Sequence, residues 1–224
     1  MQFLMMLTLA GASLLLPTSP TPDQRTVVVV PRLFIAVHAA PDIEPALVDR
    51  TLDEASAIWR AVGVVFDRQI APGQPYSSQL TVSFDDEPLD FSEQHGALGW
   101  IPFTAAGPLP VIHLSRTRAE VLCSQWPNIA NRTIAGHRLL IARALGRALS
   151  HEIGHYLFQS RVHTRHGLMR AKWPSDELFG FDGGGFKLTR EQREAAEQYF
   201  AGASATTAEP PSALAAGKAT LTTK

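Results

Sequence analysis

His151 and His155 lie four residues apart with Glu152 beside the first, the pattern HExxH. On an α-helix four residues advance about 400° and roughly 6 Å, so both imidazoles leave the same face one turn apart. Two nitrogens so placed can share one Zn²⁺ at about 2.0–2.1 Å each. Glu152 is turned about 100° from His151, where it flanks such an ion without binding it. From there a carboxylate can take a proton from a zinc-bound water, whose pKa the metal lowers to about 7. The chemistry this spacing points to is metal-assisted hydrolysis.

Three fixed residues also fall by accident on a solvated helix face, so the downstream residues decide how the motif is read. His163 comes eight residues after His155, with His166 close behind. Eight more helical residues would carry His163 about 12 Å up the axis, out of reach. The helix must therefore end soon after His155 if His163 is to turn back to a metal. His166 and Glu177 compete with His163 for the third position.

HExxH, a later histidine and Leu168-Met169 together resemble the metzincin metallopeptidases, the matrixins most of all. The resemblance implies that His151, His155 and His163 bind Zn²⁺, that Glu152 is the general base and that Met169 sits in a tight turn beneath the ligands. It is dense over residues 151–170 and schematic elsewhere. Two departures mark this chain. Metzincins carry a Gly three residues after the second His, where this sequence has Phe158, and their third His follows six residues after the second rather than eight. A two-residue insertion through Gln159, Ser160 and Arg161 reconciles both, the longer connection turning without a left-handed Gly. No Tyr stands two residues after Met169, so a tyrosine ligand is not expected.

The elements that must position these residues are legible in outline. A helix starting between Thr133 and His137 and running to about Phe158 would place Ile141, Ala144, Ala148, His151 and His155 on one side. Gly146 and Gly154 each cost about 1 kcal/mol relative to Ala inside a helix, which close approach of another backbone would explain. His137 lies about 21 Å from His151 along the axis and is no ligand. His38, His95 and His113 have no motif partner and read as core or surface histidines.

Ahead of that helix, residues 26–38 read as a first strand that Pro31 splits, and Asp42 as the cap of a helix ending at Gly63. Val64–Phe66 and Leu80–Phe84 read as the next strands, and Val111–Leu114 as another. Gly96–Phe103 reads as an edge strand, because Pro102 cannot donate to a ladder. In metzincins such an edge lies beside the cleft and pairs with an extended peptide, which makes Gly99, Trp100 and Ile101 candidate substrate-binding residues. Asp85, Asp86, Glu87 and Asp90 form an acidic turn whose spacing matches no calcium loop. After Met169, residues 171–181 would floor the cleft, and Asp182–Gly185 form a hinge. Thr189 and Gln192 make a capping box for a helix through Phe200.

Composition narrows the classes. The 224 residues suit a single domain with a sizeable core, and 45% are hydrophobic. A net charge of −1 argues against a nucleic-acid partner held by bulk electrostatics. The lone Cys123 excludes an internal disulfide framework and reads as a small buried hydrophobe. The apolar run Phe3–Leu16 is short for a membrane span but suits a signal-peptide core. Residues 1–22 are thus read as a signal peptide, 23–202 as a catalytic domain and 203–224 as a disordered tail. The expectation is an α+β, zincin-like fold: a twisted mixed sheet, an active-site helix and a small C-terminal lobe ending in a helix. The expected protein is a secreted or periplasmic zinc endopeptidase acting on peptide or protein substrates, without stable membrane association after signal cleavage. A zinc-binding protein without hydrolytic activity is the competing reading, as is a zincin whose third ligand is a carboxylate.

Overall fold

The computed structural model describes residues 30–68, 78–84, 97–130 and 132–207. The signal peptide, the start of the first strand at residues 26–29, His95, Gly96, the acidic turn at 85–90 and the tail from residue 208 lie outside them. Strand β1 (Arg32–Ala39) begins just after Pro31, and its Leu33, Phe34 and Ile35 are buried. Helix α1 (Pro45–Arg60) starts with Pro at its first turn, where a missing N–H leaves no bond unmade. Asp42 does not cap it. Glu44 holds that position without a side-chain bond, and Asp42 instead pairs with Arg116 at 2.8 Å. Gly63 follows at φ 83, a left-handed conformation that suits a residue without Cβ, and leads into β2 (Val65–Asp67).

The sheet is built from β1, β2, β3 (Ser78–Phe84), β4 (Gly99–Trp100) and β7 (Val111–Leu114) in the order β2-β1-β3-β7-β4. Four strands are parallel, and β4 alone is antiparallel, pairing Gly99 with Leu114 and Trp100 with His113. The Gly96–Phe103 segment thus contributes an edge strand, as its proline implied, but only Gly99 and Trp100 join the ladder. Pro102 breaks away, and β5 (Phe103–Thr104) folds back on β6 (Gly107–Pro108) as a separate hairpin.

Helix α2 (Arg116–Ser124) is an element that the sequence pattern does not announce. Ser115 caps it by accepting from the Arg118 N–H at 3.2 Å, and it buries Ala119 and Cys123. Helix α3 (Ile134–Leu157) begins at the Thr133 cap and carries the HExxH motif in its last turns. It is buried nearly all round from Leu140 onward, the signature of a central rather than a surface helix. On one flank α1 crosses it at Gly146, where an added Cβ would come within 2.6 Å of the Thr51 carbonyl and the Glu54 Cβ. The Trp59 indole N–H donates to the Ser150 carbonyl at 3.3 Å along the same seam.

On its other flank α3 holds a small C-terminal lobe. Arg143 donates to the Phe179 carbonyl at 2.8 Å, and Arg147, 2% exposed, donates to the carbonyls of Glu177 and Leu178 and to Glu54 at 2.9 Å. That lobe comprises α4 (Ser175–Phe179) and α5 (Arg190–Thr207). The expected capping box opens α5: Thr189 N–H donates to Gln192 Oε1 at 3.0 Å, and Gln192 N–H to Thr189 Oγ1 at 3.3 Å. The helix runs past Gly202 to Thr207, further than the sequence suggested. The α+β class with a mixed sheet, a central motif-bearing helix and a lobe ending in a helix is the one adopted. No helix among the described residues is long and apolar enough to cross a membrane.

Gly146 offers a direct check of the α1–α3 contact. Gly146→Ala gains about 1 kcal/mol of helix propensity but must push apart two backbones. The expected result in urea titration is a net loss of about 1–3 kcal/mol. A variant as stable as the wild type would mean that the helices are not packed this closely.

Candidate metal centre

How α3 ends determines whether a third histidine can reach the first two. Phe158 caps the helix in a helical conformation, and Gln159 then turns left-handed at φ 50, so that the Ser160 N–H returns to the His155 carbonyl at 3.2 Å. The expected glycine-free connection is found, but a left-handed residue is still used, and it is a glutamine. Its side-chain amide donates to the Tyr156 carbonyl at 2.6 Å, which anchors an otherwise unfavourable conformation. With the chain reversed, His163 comes back over the helix.

The three rings meet. Their centroids are 4.7 Å apart for His151 and His155, 5.2 Å for His151 and His163, and 5.0 Å for His155 and His163. One nitrogen of each lies within 4.8 Å of the others, and this is a group able to hold a metal ion. The donor chemistry fits zinc: three imidazoles leave a fourth tetrahedral position open. His151 Nδ1 donates to the Leu168 carbonyl at 2.9 Å and His155 Nδ1 to the Ser160 carbonyl at 2.6 Å. Each bond fixes the tautomer that leaves Nε2 with a free lone pair. Burial pushes His151 down to about 4 and lowers His155 as well, against those same hydrogen bonds, so both rings stay neutral and able to bind metal near pH 7.

His166 and Glu177 are not in this group. His166 is exposed, and Glu177 is tied to Arg170 by an ion pair. Met169 lies in a turn closed by the Arg170 N–H on the Gly167 carbonyl at 3.3 Å, with Gly167 at φ 76. Its thioether packs so tightly on Gly154 that a Cβ there would overlap the sulfur. Close approach does explain both helix glycines, through a backbone at Gly146 and through the Met169 side chain at Gly154.

Glu152 is buried beside the histidines and takes a hydrogen bond from the Ile101 N–H. Burial raises its carboxyl to about 8, with the Ile101 bond opposing. A cleft of about 1190 Å³ opens over the group. Gly99, Trp100 and Ile101 line one side of it, and Ala171, Lys172 and Trp173 another. Trp100 stacks on His113 at 4.9 Å, so a histidine without a motif partner turns out to line the cleft. Phe103 meets His155 edge-on at 6.2 Å, and Arg161 lies 4.6 Å over the Phe103 ring. Phe103 and Arg161 had no motif to mark them.

No protein-family model matches the chain, and no curated protein does. Among solved structures it is similar to the archaemetzincin of Methanopyrus kandleri, with a TM-score of 0.42 and 16% identity over 76% of this chain and 96% of that one. A likeness this loose places no residue and assigns no activity.

Two measurements test the centre. His163→Ala should lose most zinc affinity in equilibrium dialysis, whereas His166→Ala should largely keep it. The opposite ranking would remove His163 from the group. The second uses metal-free protein. Glu152 titrates at about 8 when folded and near 4.5 when unfolded, so the stability it contributes is complete below about 4.5 and is lost as pH rises through about 8. Glu152→Gln cannot ionise. In chelator its unfolding free energy from urea titration should match the wild type at pH 4 and exceed it by pH 9, by on the order of a few kcal/mol. A gap that ignores pH would contradict the burial of this carboxylate.

Proposed function

We propose that the chain is a zinc-dependent endopeptidase of metzincin type, exported by its N-terminal segment. The observation that carries this reading is the convergence of His151, His155 and His163 with Glu152 buried alongside and an open cleft above. Met169, packed on Gly154 beneath the histidines, corresponds in this reading to the turn methionine of that family. The matrixin-like assignment and the export rest on the sequence pattern.

His151, His155 and His163 would hold the ion as neutral ligands. Zinc in such a site supplies Lewis acidity and a water acidified to near neutral pH. Glu152 takes the proton from the attacking water as it adds to the peptide carbonyl, then passes it to the leaving amine. The Ile101 N–H, donating to the Glu152 carboxylate, holds it in place on the cleft. A doubly charged cation beside Glu152 favours its ionised form, which offsets the effect of burial. The edge of β4, paired with β7 on one side, presents its other side to an extended peptide.

The deciding experiment removes the base and keeps the metal. Glu152→Gln should retain about one zinc per chain while hydrolysis of a mixed peptide library falls by about 10²–10⁴-fold. Equal cleavage by variant and wild type, or no cleavage by the zinc-loaded wild type, would falsify the peptidase reading.

A further inference from the structure

The charges that line the cleft are unbalanced. Among the described residues, its charged side chains besides the histidines are Glu152, Arg161 and Lys172. Glu152 is buried against the Ile101 N–H and makes no ion pair with Arg161 or Lys172. Arg161 comes from the connection between α3 and His163, and Lys172 from the segment after the Met169 turn, so two separate segments bring them to the cleft. Elsewhere among the described residues some cations are matched to carboxylates, such as Arg32, Arg68 and Arg116, and others, such as Arg118 and Arg132, are not, so what distinguishes Arg161 and Lys172 is their place on the cleft. Among the described residues Arg161 and Lys172 have no acidic partner, although the chain as a whole carries a net charge of −1.

Arg161 is also held in place. Its Nη2 donates to the Phe103 carbonyl at 3.3 Å while the guanidinium lies over the Phe103 ring. A guanidinium has five N–H donors, so this anchoring leaves donors for a carboxylate. Lys172 is exposed and offers three more. Three neutral histidine ligands would add to this imbalance, since they leave the charge of a bound cation uncompensated.

We propose that the cleft selects peptides bearing an Asp or Glu side chain close to the scissile bond, with Arg161 and Lys172 as the residues that read it. The proposal rests on the peptidase reading for its substrate class, and on the cleft charges for its preference. The test uses zinc-loaded full-length protein and synthetic peptides that differ only in Asp, Glu, Ala or Lys at the positions flanking the cleaved bond. The expected kcat/KM is about 3–10-fold higher for the acidic peptides than for their Ala counterparts, and lower for the Lys ones. That preference should shrink as salt rises from about 0.05 to about 1 M. Lys172→Glu and Arg161→Glu should weaken or invert it while zinc stoichiometry stays unchanged. Lys172→Glu, which breaks no hydrogen bond or ion pair among the described residues, should also keep the wild-type melting temperature. A parallel arm measures binding of the same labelled peptides to Glu152→Gln protein by fluorescence anisotropy, where the affinity order should be the same. Cleavage indifferent to charge, or a preference that survives both reversals, overturns the proposal. If the wild type cleaves no peptide, the peptidase reading fails, and the binding arm alone then decides the charge preference.

Discussion

The structure depends on a helix that is buried nearly all round and still carries the polar groups of the site. Helix α3 meets α1 on one flank, the sheet edge on another and the C-terminal lobe on a third. The polar side chains it buries therefore need partners, and apart from Ser150, which bonds the Gly146 carbonyl one turn back, those partners come from outside the helix. Arg147 is answered by Glu54 and two lobe carbonyls, Arg143 by Phe179, His151 by Leu168 and His155 by Ser160. An ion pair like Arg147–Glu54 adds little net stability, because desolvation offsets the attraction, yet losing either partner strands a charge. Such pairs act chiefly to set where α1 and the lobe sit on the helix. The cleft follows from that placement.

The same network joins ligand geometry to the lower lobe. The carbonyls that orient the two helix histidines belong to Ser160 and Leu168, both beyond the helix end. Leu168 is itself held by its N–H on the Lys187 carbonyl, and Thr164 by its N–H on the Met169 carbonyl. The imidazoles cannot keep their tautomer and direction unless this stretch is folded around them.

Much of this is legible in the sequence, for identifiable reasons. HExxH works through helical period alone, so its three side chains can be placed from spacing. The Thr189–Gln192 box and the Pro102 break are equally local, since each rests on the bonds one residue can or cannot make. Helix α2 escapes because its apolar residues form no clear stripe; only Ala119 and Cys123 are buried. The Asp42 cap fails because Pro45 fixes the helix start three residues later. Arg161, Phe103 and His113 reach the cleft through contacts between distant segments, for which the sequence holds no periodic signal. The carbonyls behind His151 and His155 are invisible to any motif, being backbone groups that every residue possesses.

Gln159 shows how the end of α3 is turned without a glycine. A left-handed turn lets the Ser160 N–H return to the His155 carbonyl, which starts the reversal of the chain. Glycine meets that need at no steric cost, whereas a residue with a Cβ costs roughly 1–2 kcal/mol. Here the longer side chain offsets some of that cost. It bonds the Tyr156 carbonyl, and its oxygen lies 2.8 Å from where a Cβ on Gly107 would be, so it also packs closely on the β5–β6 hairpin. The hairpin in turn carries Phe103, on which Arg161 and His155 both rest. The residues between His155 and His163 thus do more than reverse the chain: they bring Arg161 to the cleft and hold it against Phe103. A glycine at position 159 would relieve the turn and loosen that wall.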